Sequence, residues 1–114
     1  MPVLGKGEIY SGIILEKGKP SHHLVLLPGD EQKNWKDAVA WAKKQGGELP
    51  TRREQSLLFA NAKEHFEQRW YWSGEQYAGD VASAWNQTFS YGSQNLNHKD
   101  HDYRCRAVRR VAIR

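Results

Sequence analysis

Residues Trp70 to Val111 read WYWSGEQYAGDVASAWNQTFSYGSQNLNHKDHDYRCRAVRRV, and this stretch decides the fold. Two aromatic-rich strand candidates, Trp70–Tyr77 and Ala82–Phe89, are separated by Ala78-Gly79-Asp80. They lead into a long polar segment, Ser90–Asp102, rich in Asn, Ser, His, Asp and Tyr and without an apolar run to bury. Gly92 lies inside it, where a positive φ is expected. A third strand candidate, Tyr103–Val111, closes the stretch. Unstructured loops of this length are uncommon in compact domains unless they serve a function. The polar segment is therefore the candidate binding surface, and the rest of the chain reads as its scaffold.

Upstream, Ile9, Ile13 and Leu15 alternate with more polar neighbours, which makes Glu8–Leu15 a strand. Glu16–Ser21 holds Gly18 and Pro20, a turn signal. His22–Leu27 is apolar at successive positions, as expected of a strand buried on both faces. Together these segments predict an N-terminal hairpin. Trp35, Ala38, Val39 and Ala42 fall at i, i+3, i+4 and i+7, one stripe of a helix over Asn34–Gln45. Asn34 is its N-cap and Gly46-Gly47 its stop. After the extended link Glu48-Leu49-Pro50, Thr51 and Glu54 form a T-x-x-E capping box. The helix they open, lined by Leu57, Leu58 and Ala62, should run to about Glu64. Strand, strand, helix, helix and three strands make an α+β domain spanning residues 1–114. The first and last strands are expected to pair.

With 114 residues the chain is long enough for one hydrophobic core. Its net charge of +4 is mild, and Lys and Arg are scattered except for Arg104, Arg106, Arg109, Arg110 and Arg114. A nucleic-acid binder concentrates such charge on one face. A charged, protected edge strand explains the cluster equally well, so nucleic acid is the weaker expectation. The single cysteine, Cys105, excludes an intramolecular disulfide and points to folding in a reducing compartment. The longest apolar run, Leu24–Leu27, is far too short for a membrane span, so no membrane insertion is expected. The expected site of synthesis is the cytoplasm, with release by lysis or as part of a particle as a later fate.

Four groups of residues carry a resemblance: Gly47-Glu48-Leu49-Pro50-Thr51-Arg52-Arg53-Glu54, Trp72-Ser73-Gly74-Glu75, Ala84-Trp85 and Arg104-Cys105-Arg106-Ala107-Val108-Arg109. In order and spacing they resemble a phage- and prophage-encoded domain family of unknown function. That family is related to the C-terminal domain of the Legionella collagen-like adhesin. The resemblance covers about Glu8 to Val111. It implies a C-type-lectin-like fold, two helices flanking a small antiparallel sheet, with a long loop region as the binding surface. It also implies display on a phage tail beside other tail proteins. The polar content of residues 86–102 is similar to the diversified region of phage receptor-binding proteins of this fold class. Cys105 stands where the family pattern has Ala.

The candidate ligand-binding residues are Asn86, Thr88, Ser90, Tyr91, Ser93, Asn95, Asn97, Asp100 and His101. Tyr and Asn on a scaffolded loop give contact area and adaptable hydrogen bonds at low entropic cost. Calcium-dependent sugar binding needs converging oxygens, and C-type lectins supply them through Glu-Pro-Asn and Trp-Asn-Asp. Here Trp85-Asn86-Gln87 lacks the acid and no Glu-Pro-Asn occurs, so no metal or cofactor is expected. The spacing of His98, Asp100 and His101 matches no zinc pattern. Cys105, the only thiol, lies between Arg104 and Arg106, which could lower its pKa, but it alternates with Ala107 toward the core, so no enzyme is expected. The expectation is a non-catalytic module whose ligand is a host-surface protein or glycan. The alternatives are a structural subunit of a phage particle and a nucleic-acid-associated basic protein.

Overall fold

A computed structural model describes residues 1–113; Arg114, the last of the C-terminal arginines, lies outside them. The chain opens with the hairpin β1 (Ile9–Glu16) and β2 (Lys19–Leu26). Its turn is only Lys17-Gly18, with φ of 51° and 76°. Two consecutive positive φ values match the right-handed twist of the flanking strands. Pro20 pairs with Leu15 inside the hairpin, so the turn is shorter than the Glu16–Ser21 expected. Leu24, Val25 and Leu26 are fully buried, as the unbroken apolar run requires.

A short strand, β3 (Glu31–Lys33), precedes α1 (Trp35–Lys44). Asn34 caps α1 by accepting from the Asp37 amide at 2.9 Å, and Gly46 ends it at φ 93°. Thr51 and Glu54 make the capping box of α2 (Arg52–Ala62) in both directions. That helix stops two residues before Glu64, and Lys63–His65 tighten into a 3₁₀ turn.

Five further strands follow: β4 (Trp70–Gln76), β5 (Ser83–Thr88), β6 (Gln94–His98), β7 (Tyr103–Cys105) and β8 (Val108–Ala112). They build two sheets, not one small one. The first has the order β1-β2-β8, the second β3-β7-β4-β5-β6. All pairings are antiparallel except the contact of β4 with β7. The architecture is α+β with two helices.

Three expectations are corrected. The last strand pairs with β2, the central strand of its sheet, and not with β1. Tyr103–Val111 is not one strand but two in different sheets, broken at Arg106-Ala107. There Leu27 donates its amide to the Ala107 carbonyl at 2.9 Å and accepts from Arg106 Nη2 at 2.9 Å. These bonds turn the chain from one sheet to the other. Finally, Ser90–Asp102 is not an unstructured loop, because β6 lies within it. Low strand propensity of Asn, Gln and His is overridden by pairing with β5 along its whole length.

The five-stranded sheet is covered on both faces. α1 brings Ala38 and Ala42 against Leu27, Leu49, Trp72, Ala84, Cys105 and Ala107. Two alanines on the buried stripe let the helix approach closely. α2 brings Leu58 and Ala62 against Leu24, Leu26, Tyr71, Phe89 and Val108, so it packs on both sheets. Trp72 and Phe89 are buried; Trp70 and Trp85 are half-buried.

Candidate ligand-binding face

The register of β4, β5 and β6 sorts the polar residues onto two faces. Trp72 opposes Asn86, and Asn86 opposes Asn95. Asn86, Asn95 and, by alternation, Asn97 therefore lie on the α1 side. Tyr71, Gln87 and Gln94 lie on the α2 side by the same pairing.

On the α1 side a chain of hydrogen bonds crosses the sheet. Tyr103 donates its hydroxyl to Asn97 Oδ1 at 2.8 Å, and Asn97 donates Nδ2 to Asn86 Oδ1 at 2.7 Å. The Tyr103 ring meets Trp72 edge-on at 5.1 Å, so the core holds one end of the chain. The His101 ring lies 6.3 Å from that of Tyr103 and 6.0 Å from that of His98. Asn95 is exposed and folds its Oδ1 back to accept from the Leu96 amide at 2.8 Å. That bond blocks an amide on a strand at the edge of its sheet, a protection against pairing with other chains.

The expected site residues separate into three groups. Asn86 and Thr88 are buried and cannot reach a ligand directly, which corrects their inclusion. Asn86 supports Asn97, while its Nδ2 has no partner among the described residues. Thr88 Oγ1 accepts from the Ser90 amide at 3.2 Å and shapes the β5–β6 turn. Ser90, Tyr91 and Ser93 form the exposed tip of that turn, where Tyr91 is 73% exposed. Gly92 has φ 82° and packs on Phe59. Asn95 and Asn97 stand along β6, and Asp100 and His101 in the turn beyond it. The tip and His101 are thus at opposite ends of β6, about 16 Å apart at about 3.3 Å per residue. Tyr91 and His101 do not share one patch.

Sequence reasoning passed over Tyr103, which it had placed in a strand. Its membership is a matter of register, invisible before the strands are paired. A shallow cavity of about 310 Å³ beside Tyr103 is lined also by Gln32, Trp70, Asp102 and Arg104.

A larger concavity lies elsewhere, about 610 Å³ between the β1–β2 hairpin and the start of α2. Its wall holds Glu54, only 1% exposed, whose oxygens accept from the Thr51 amide at 2.8 Å and from Arg110 at 2.6 and 2.8 Å. His22 Nε2 lies 2.7 Å from the same carboxylate. Burial by itself raises the pKa of Glu54; hydrogen bonds from Arg110 and the Thr51 amide, with His22, outweigh it and hold the carboxyl below its ordinary range. Arg110 also pairs with Glu48. These groups satisfy one another and clamp β2, α2 and β8 together.

The remaining described C-terminal arginines are engaged too. Arg104 pairs with Asp30 at 2.7 Å and Glu67 at 3.1 Å, and Arg109 with Glu8 at 2.8 Å. Arg106 donates to the carbonyls of His65 and Leu27. Among the described residues no three His, Cys, Asp or Glu converge as a metal site, and no helix is long and apolar enough to cross a membrane. Burial pushes the Cys105 thiol up to about 12. The chain matches no protein-family model and no curated protein.

Proposed function

We propose that this chain is a non-catalytic, C-type-lectin-like ligand-binding module of phage or prophage origin. Asn95, Asn97, His101 and Tyr103 present its ligand face, and the ligand is a host-surface protein or glycan. One observation carries this reading: the Tyr103–Asn97–Asn86 chain ties a polar surface to the core through Trp72. A surface fixed in this way loses little conformational freedom on binding. The resemblance of the four motif groups to the phage family supports the origin.

The test is binding of labelled protein to bacterial host cells and to a glycan array, with Asn95→Ala/His101→Ala as the comparison. The expected result is binding by the parent chain and its loss in the double variant at unchanged circular dichroism. Binding that survives both substitutions removes this face from the proposal. Should copies of the gene be diversified, changes should gather at the exposed positions 95 and 101 and spare the buried Asn86 and Thr88.

The structural-subunit reading is favoured by a different observation. Val3, Leu4, Ile13 and Leu15 are exposed apolar side chains, all in the first fifteen residues. Native mass spectrometry separates the two: a strict monomer supports the binding module, a defined oligomer the subunit. The nucleic-acid reading is disfavoured by the carboxylates already paired with Arg104, Arg109 and Arg110.

A further inference from the structure

On the α2 side of the β5–β6 pair, Arg52 sits over Trp85, its Cζ 3.5 Å from the ring centroid. Three glutamines hold it there. Arg52 Nε donates to Gln94 Oε1 at 3.1 Å, and Gln94 Nε2 donates both to the Arg52 carbonyl at 2.8 Å and to Gln87 Oε1 at 2.9 Å. Gln87 Nε2 in turn donates to the Gln55 carbonyl at 2.8 Å, and Gln55 Nε2 to the Tyr71 carbonyl at 3.0 Å. Gln55 and Gln87 are fully buried, so the core fixes the guanidinium through a continuous amide network.

Among the described residues, both Nη groups of Arg52 remain without a protein hydrogen bond, and no carboxylate lies within 4.0 Å of them. The other described arginines differ. Arg69, Arg104, Arg109 and Arg110 are paired with carboxylates, while Arg53 and Arg106 donate Nη to carbonyls. Tyr77 meets Trp85 edge-on at 6.1 Å and Leu96 is the cross-strand partner of Trp85, so the indole under the cation has apolar neighbours. The Glu75 carboxylate is occupied by the Arg52 main-chain amide, from which it accepts at 2.6 Å.

We propose that Arg52, Trp85 and Gln94 form a subsite for a carboxylate group carried by a polar ligand. The guanidinium carbon sits 3.5 Å over the indole and its Nε is taken, so an anion approaches the two Nη groups. A planar carboxylate places both oxygens in the guanidinium plane and accepts two parallel N–H···O bonds, the geometry arginine favours. Stacking and the glutamine clamp have already removed the side-chain freedom that anion binding otherwise costs. The subsite faces away from Asn95 and Asn97 and stands whether or not that face meets a receptor.

The experiment is a titration of the ¹⁵N-labelled chain with sodium glucuronate at constant ionic strength, against glucose, sodium chloride and sodium sulfate. The Arg52 Nε–H and Trp85 indole N–H resonances are the readout. The expected result is a saturable shift of both with glucuronate, absent with glucose and chloride. In Arg52→Lys, which keeps the charge and loses the fork, the apparent affinity should fall about tenfold. No shift with glucuronate, an equal shift with chloride, or unchanged affinity in the lysine variant overturns the proposal. A stronger response to sulfate than to glucuronate overturns the carboxylate assignment.

Discussion

Glu54 on α2 and Arg110 on β8 meet through two hydrogen bonds, 2.6 and 2.8 Å long, across the seam between helix and sheet. The carboxylate is 1% exposed and the guanidinium 29%, which makes the two sides of the pair unequal. Arg110→Met leaves a charge stranded in the interior, at a cost of about 3–5 kcal/mol. Glu54→Gln leaves a cation that water can partly reach, and should cost about 2 kcal/mol. Urea denaturation should rank the variants in that order. The double variant should be more stable than Arg110→Met alone.

The same carboxylate sets an acid limit. Its folded pKa is depressed, because Arg110, Thr51 and His22 outweigh the penalty of burial. The unfolded chain therefore takes up this proton at a higher pH than the folded one. The stabilisation is complete above the ordinary carboxylate range and is lost as pH falls through the lowered value. Urea midpoints from pH 7 downward should show this decline beginning near pH 4 or 5. Glu54→Gln should flatten it; an equally steep decline there assigns the acid sensitivity to other groups.

Cys105 should behave as an inert core residue. Its thiol is buried and pushed up to about 12 by that burial, and Sγ lies 3.4 Å from the Glu31 carbonyl. Iodoacetamide at pH 8 should label the native chain only as fast as the β3–β7 region opens. Labelling should become rapid in denaturant. Fast labelling of the native chain contradicts this placement.

Gly46 and Gly47, adjacent in sequence, should respond differently to alanine. Gly46 has φ 93° and open space around its missing Cβ, so Gly46→Ala should cost about 1 kcal/mol of backbone strain. A Cβ on Gly47 would stand 2.0 Å from the Val108 carbonyl oxygen. That position carries the bridge in which Glu48 and Val108 exchange hydrogen bonds of 2.9 and 2.8 Å. Gly47→Ala should therefore cost about 3 kcal/mol. Thermal melts of the two variants check the contrast.

This pair also marks where sequence reading stops. Gly46-Gly47 was legible as a helix stop, because chain termination is local. That Gly47 makes room for β8 depends on a segment sixty residues away. The helices and their caps, and the N-terminal hairpin, were legible for the same local reason. β6 was not, since Gln94, Asn95, Asn97 and His98 carry little strand preference and owe their extension to β5. The alternation of Tyr103–Ala107 does break at Ala107-Val108, both buried, but nothing local in the sequence says that the two halves join different sheets. Among the site residues, composition found the exposed ones but could not tell Asn86 from Asn95. The two face each other across β5 and β6, one beneath the sheet edge and one on it.

Residues 103–112 have a bearing on how the chain is made. β7 stands between β3 and β4, while β8 supplies the third strand of the other sheet. A nascent polypeptide that has reached only Asp102 lacks the piece that joins β3 to β4 and exposes one side of the apolar strand β2. Both sheets must wait for the same ten residues to leave the ribosome, so they should assemble together rather than stepwise. Pairings between such distant segments also slow folding in general.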